Sequence, residues 1–276
     1  MLSEQKQTIL NKISEYERQG IFDKDVEDDP PYTTLLPHKV DYLNKKPFSE
    51  LKSKLAYKLG ERFYHRLEKK GEILLKAVYG KENFKKVSGG AIITCNHFAF
   101  YDNYFIAKTF KKELGKHGLY KVIREGNYTG FRGFYGFLFR HARTLPLSSN
   151  IQTMKKFYSA LSTLLTRGEK ILIYPEQAMW WNYRKPRPYK NGAFRFAVKN
   201  KVPIIPMFMA MEDTEKKDSD GYPVQAVSLF ILPPISYDDK LSEKENEKVM
   251  AEKNYNAVKS LYEKFYSVPL SYGDDK

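Results

Sequence analysis

From about residue 72 onward, short runs rich in branched and aromatic residues alternate with stretches whose apolar positions recur every three or four residues, and few folds satisfy that alternation. "EILLKAVYG" (72–80), "GGAIITCN" (89–96), "GLYKVIRE" (118–125), "EKILIYPE" (169–176), "VPIIPMFMAM" (202–211) and "AVSLFILPPI" (226–235) read as strands bounded by Gly, Pro or polar residues. Between them "NYFIAKTFKKELGKHG" (103–118), "NIQTMKKFYSALSTLLTRG" (150–168) and "NGAFRFAVKNK" (191–201) read as helices, each ending near Gly or a basic residue. The pattern predicts an α/β fold: a mixed, largely parallel central sheet flanked by helices, closed by an amphipathic helix in "LSEKENEKVMAEKNYNAVKSLYEKFYS" (241–267).

Ahead of this lies an N-terminal helical extension. Leu2, Ile9, Leu10, Ile13 and Tyr16 fall at helical spacing among charges, so this helix either caps the core or lies on a membrane surface. Residues 23–47 hold an acidic run and several prolines and read as an irregular connector. A second helix is expected from Ser49, which divides the chain into 1–47, helix and connector, and 48–276, the α/β domain. The first twenty residues lack the apolar core and small-residue cleavage site of a signal peptide. The longest uncharged stretches fall far short of the roughly 18–20 residues that span a bilayer, so membrane contact is expected to be interfacial.

Charge is concentrated in the middle. Residues 81–210 hold 23 basic and 6 acidic side chains, a surplus larger than the net +14 of the whole 276-residue chain. Such a field attracts nucleic acid, acidic headgroups or phosphorylated small molecules. One cysteine, Cys95, excludes an intrachain disulfide and a thiolate zinc site, and fits a reducing compartment. The histidines His38, His65, His97, His117 and His141 show no close metal-ligand spacing, and no phosphate-binding loop of the P-loop type occurs.

Open α/β sheets carry reactive groups where strands give way to loops. "CNHFAFYDN" puts His97 just past a strand and Asp102 five residues on. On a continuous helix the two side chains would diverge by about 140°. With an intervening turn, Asp102 can fix the imidazole tautomer and leave the other ring nitrogen free to take a proton. Without one, His97 is satisfied by a nearby backbone group. A second strand-end carboxylate, Glu176, follows in "ILIYPEQ".

These blocks together resemble a known family. "NHFAFYD" is similar to the NHxxxxD signature of the glycerolipid acyltransferases, the lysophosphatidic acid and glycerol-phosphate acyltransferases. "YPEQ" stands where that family has FPEGTR, and "PYKNGAFRFAVKNKVPIIPMFM" resembles its next block. "GFYGFLFRHARTLPL" is similar to the region between the first and third blocks, and the likeness spans roughly residues 74–235. The resemblance implies transfer of a fatty acyl group from acyl-CoA or acyl carrier protein to a glycerolipid hydroxyl, with His97 as general base and Asp102 as its partner. The acceptor it implies is 1-acylglycerol-3-phosphate or a related lysolipid or glycolipid. It also implies phospholipid biosynthesis at the cytoplasmic face of a membrane, with peripheral attachment and no cofactor beyond the thioester substrate. The chain has no G-x-S-x-G nucleophile elbow, and Cys95 falls inside an expected buried strand, so direct transfer without an acyl-enzyme is expected.

Two departures bear on the acceptor. Gln177, Ala178 and Met179 follow Glu176 in place of Gly, Thr and Arg, and Ser148, Ser149 and Asn150 stand where an arginine usually trails the second block. The resemblance associates those arginines with the acceptor's phosphate. Arg184, Lys185, Arg187 and Lys190, on a loop stiffened by Pro186 and Pro188, are the candidate replacements; a solvated basic loop is the alternative. Asn96, Arg140, Arg143 and Glu176 complete the candidate ligand-binding set. Trp180 and Trp181 would meet a membrane interface, wall an acyl pocket, or pack in the core. Two other functions stay open: a basic nucleic-acid-binding protein, though no familiar nucleic-acid motif occurs and none is expected as partner, and a lipid-binding member of the same fold without turnover.

Overall fold

A computed structural model describes residues 2–116 and 118–273; Met1, His117 and the last three residues lie outside the described part. Among the described residues the elements run α1 (Glu4–Arg18), α2 (Ser49–Lys69), β1 (Leu74–Tyr79), α3 (Lys81–Lys85), β2 (Ala91–Thr94), α4 (Asp102–Thr109), β3 (Tyr120–Ile123), α5 (Glu125–Thr129), α6 (Gly133–His141), β4 (Thr144–Pro146), α7 (Ile151–Thr166), β5 (Lys170–Ile173), α8 (Gly192–Lys199), β6 (Ile204–Lys217), β7 (Pro223–Ile231) and α9 (Glu243–Tyr266). The seven strands form one sheet in the order β1-β7-β6-β2-β5-β3-β4. Every neighbouring pair is parallel except β6 with β7, so the sheet is mixed and largely parallel, with helices on its faces.

The central strands explain the texture of the sequence. In β2 and β5 every residue is buried, because helices cover both faces and neither face can be polar. Ile93, Leu172 and Ile205 point to one side, toward Phe105 of α4, while Ile92, Ile171 and Ile204 point to the other, toward Phe157 of α7 and Phe194 of α8. Helix α1 caps the core: Ile9 and Ile13 are buried against Val26, Ala178 and Trp180. No helix among the described residues is long and apolar enough to cross a membrane.

Two boundaries differ from expectation for physical reasons, and several short elements stand beside them. The helix expected over 103–118 stops at Thr109, and turns then bring Phe110 and Leu114 back into the core, with Gly115 in the left-handed region at φ 59°. β6 runs on past Met211 through the charged "EDTEKK", because its far end pairs only with β7 in a hairpin whose faces reach solvent. The short elements α3, α5 and β4 carry too few residues to show a period; β4 ends in Pro146 at the sheet edge, where a missing N–H costs no ladder bond.

Candidate active site

At the end of β2 the chain passes Cys95 and Asn96, presents His97, and turns at Phe100 and Tyr101 into α4. The Asp102 N–H closes that turn on the Ala99 carbonyl at 3.3 Å. Asp102 thus opens α4, where the unpaired N–H groups of a first turn favour a carboxylate, and it comes back to His97: Nδ1 and Asp102 Oδ2 lie 2.7 Å apart. Its other oxygen, Oδ1, accepts from the Asn103 N–H at 2.6 Å and from the Tyr174 hydroxyl at 2.5 Å. Tyr174 follows β5, which pairs with β2 through Thr94 and Ile173, so the two strand ends lie side by side. Its ring stacks on the imidazole at 3.9 Å between centroids and 10° between planes. Burial, with the Asp102 carboxylate beside it, pushes the Tyr174 phenol well above its ordinary pKa, which keeps it a donor. Asp102 is fully buried, whereas the His97 side chain keeps 20% exposure.

His97 lines a cleft of about 710 Å³. One part is walled by apolar surface of α2 and α6, including Ala56, Gly60, Leu138 and Phe139. Another is polar, with Asp25, Asp29, Arg124, Gln177 and Lys190. Lys121 also lines it; burial, with Arg143 nearby, lowers its ammonium to a pKa of about 8, and it lies 5.8 Å from the Tyr57 ring centroid.

Most of the basic loop is turned elsewhere. Glu176, 2% exposed, accepts from the Arg187 backbone N–H at 2.9 Å, from its guanidinium Nε at 3.2 Å and Nη2 at 2.8 Å, and from the His97 N–H at 3.3 Å. Arg187 is fully buried, gives its remaining donors to the carbonyls of Phe22, Ala178 and His97, and lies 4.6 Å from the Trp180 ring centroid. The pair is a structural clasp that sets the backbone of His97 and the loop. Arg184 pairs with Asp213 at 2.7 Å and Lys185 with Glu17 at 2.8 Å. Arg140 donates to the Phe131 and Tyr128 carbonyls, and Arg143 makes a two-pronged pair with Glu50 at 3.1 and 2.9 Å. Asn96 exchanges two hydrogen bonds with the Met209 backbone, tying β2 to β6. Of the residues expected to bind substrate, Asn96, Arg140, Arg143, Glu176, Arg184, Lys185 and Arg187 are not among those lining this cleft, and their polar atoms are engaged within the fold. Lys190 does line it, with Nζ 2.7 Å from Asp23.

Residues 76–210 match the model of the acyltransferase family. The matched stretch is just under half of the 276-residue chain. Among curated proteins, none matches the sequence. Among solved structures, the 1-acyl-sn-glycerophosphate (LPA) acyltransferase PlsC from Thermotoga maritima aligns with a TM-score of 0.51 at 20% identity, over 75% of this chain and 78% of that one. That likeness is one of fold.

Gln177, in place of glycine, sits at φ 68°, the left-handed region that glycine enters freely and other residues enter at a cost of about 1–2 kcal/mol. Neither indole reaches the cleft: Trp180 is fully buried against α1, and Trp181 packs edge-on against Tyr222 with Lys6 4.5 Å from its ring centroid. Cys95 is buried, its thiol pushed well above the ordinary value chiefly by burial.

Three features of the site escaped sequence reasoning. Tyr174 was hidden in "ILIYPE" as a strand residue. The α2 and α6 wall is legible only once the fold brings the two helices together. The acidic connector read as a linker, yet Asp25, Glu27 and Asp29 line the cleft; the signal was its sign, opposite to the basic middle block it lies against.

Proposed function

We propose that this protein is an acyltransferase that moves a fatty acyl group from an acyl thioester, of coenzyme A or acyl carrier protein, to a hydroxyl of a glycerolipid acceptor, a lysolipid or glycolipid. The observation that carries the reading is the 2.7 Å contact between His97 Nδ1 and the buried Asp102 at an apolar-walled cleft. Asp102 accepts a hydrogen bond from Nδ1–H, which holds the proton on Nδ1 and leaves Nε2 as the basic nitrogen. Nε2 takes the acceptor's hydroxyl proton as that oxygen attacks the thioester carbonyl. The tetrahedral intermediate collapses, the C–S bond breaks, and the thiolate leaves with the proton from the imidazolium. Stacking on Tyr174 and the clasp of Glu176 on the His97 N–H hold the ring in place. Direct transfer accords with Cys95 lying outside the cleft.

On the same reading the protein works on the cytoplasmic face of a membrane as a peripheral enzyme of phospholipid synthesis, its basic middle block drawn to anionic lipid. The test is incubation of purified protein with radiolabelled acyl-CoA or acyl carrier protein and a panel of lysolipids and glycolipids, with the products resolved. An acylated acceptor is the expected result; thioester recovered intact with every acceptor would remove the proposal.

A further inference from the structure

The polar part of the cleft is built by the connector, and its charge bears on the acceptor. Two cations stand there beside the connector, Arg124 and Lys190. Arg124 is paired with both Asp25 and Asp29, the latter at 3.0 Å, and Lys190 with Asp23 at 2.7 Å. Asp25, Glu27 and Asp29 themselves line the cleft, so this wall presents more carboxylate than free cation. The arginines that a sequence reading would offer to a phosphate are engaged elsewhere, as Arg187, Arg143 and Arg184 show. Two further cations line the cleft. Lys108 is paired with Glu68 at 2.5 Å, and Lys121 of β3 faces Tyr57 in the α2-walled part, three residues before Arg124, which continues the extended chain past the strand end, so that their backbones lie about 10 Å apart.

The acidic wall is also fixed in place. The Phe22 carbonyl accepts from Arg187 at 2.9 Å and the Lys24 carbonyl from the Trp180 indole at 2.8 Å. Val26, between the two carboxylates Asp25 and Glu27, is 3% exposed in the cluster with Trp180. Beyond the acidic run, Leu35 is 1% exposed and its N–H donates to Glu125 at 2.6 Å. A phosphate could not displace these carboxylates by moving a loose loop, since the segment is pinned on both sides.

Resting on the acyl-transfer reading, we infer that the connector carboxylates Asp25, Glu27 and Asp29 select an acceptor whose headgroup donates hydrogen bonds through hydroxyl or amine groups, and reject a terminal phosphomonoester. A dianion entering this wall meets carboxylates and cations already paired, whereas O–H and N–H donors meet good acceptors.

The test offers the full-length protein, in mixed micelles with acyl-CoA or acyl carrier protein, three acceptors: monoacylglycerol 3-phosphate, a monoacyl glycosylglycerol and a monoacyl glycerophosphoethanolamine. The sugar and amine arms separate the two sources of donor groups. At least one of them is expected to exceed the phosphomonoester tenfold in kcat/KM. Asp25→Asn with Asp29→Asn should narrow that gap by raising phosphomonoester transfer fivefold or more, with helical content checked by circular dichroism; Glu27→Gln, paired only at 3.6 Å with Lys6, is the milder variant. A phosphomonoester preferred by the native protein, or a gap unchanged in the variants, overturns the inference. If no acceptor is acylated, acyl transfer itself fails, and binding still decides the selectivity. Displacement of a fluorescent fatty acid by dodecyl glucoside should then exceed that by dodecyl phosphate in the native protein, and stronger displacement by the phosphate overturns the inference.

Discussion

Substituting Asn for Asp102 is the sharpest probe of the proposed base, because the structure dictates how the amide must sit. Oδ1 of Asp102 receives two donors, the Asn103 N–H and the Tyr174 hydroxyl, while Oδ2 faces His97 Nδ1. In Asp102→Asn the amide oxygen keeps the two donors, since turning the NH₂ toward them would set donor against donor in a fully buried pocket. The NH₂ then faces Nδ1 and donates to it. Nδ1 must be unprotonated, the imidazole proton moves to Nε2, and the nitrogen that should take the acceptor's proton already holds one. Loss of a positioned base is worth about 10²- to 10⁴-fold, and the equivalent exchange in a Ser-His-Asp triad lies at the upper end, near 10⁴. We expect kcat to fall by about 10³- to 10⁴-fold, about 4–5.5 kcal/mol on the barrier, with KM for the thioester changed little. The assay is radiolabelled acyl transfer over saturating acceptor, with the tautomer read by nitrogen NMR of the labelled imidazole. Activity within threefold of native, or a proton still on Nδ1, would refute the reasoning.

Arg187→Met should lower stability by about 3–5 kcal/mol, read as a fall in Tm, because it strands the buried Glu176 carboxylate. Arg184→Ala, which breaks a partly exposed pair with Asp213, should cost no more than about 1 kcal/mol in the same experiment. Burial lowers Lys121 to about 8 from 10.5, so the folded protein bears the cost of its charge below pH 8 and is relieved as pH rises from about 8 to 10.5. Native stability in urea should therefore climb across that window, and Lys121→Met should be more stable at pH 7 with the climb removed. Burial raises the Glu125 carboxyl, but hydrogen bonds from Ser148, the Leu35 N–H and Ser149 outweigh it and leave the pKa below the ordinary 4.5. The stability it contributes is present above pH 4.5 and lost as pH falls through the lowered value, so Glu125→Gln should flatten the acid limb of a stability profile.

How far the site could be read before folding depended on whether a residue's partner lay nearby in sequence. His97 and Asp102 are five apart, and the condition for their meeting, a turn before the helix, was legible although the turn itself was not. The central strands were legible because burial on both faces leaves unbroken apolar runs. The partners of the basic loop were not legible, because charge in a sequence does not show its counter-charge: Arg187 meets Glu176 eleven residues away, Lys185 meets Glu17, and Lys190 meets Asp23. Arg143 likewise finds Glu50 at the head of α2. The apolar wall of the cleft joins α2 to α6 across more than sixty residues, a contact no local period reports. Aromatic residues misled in the same way, since Trp180 gained its environment from α1 and the connector.

The most direct measurement is single-turnover acyl transfer by His97→Ala, with the thioester bound first and acceptor added in excess. If Nε2 draws the proton from the attacking hydroxyl, the rate of product formation falls at least about a hundredfold while thioester binding persists. Product forming at the native rate in the variant would mean that some other group activates the acceptor.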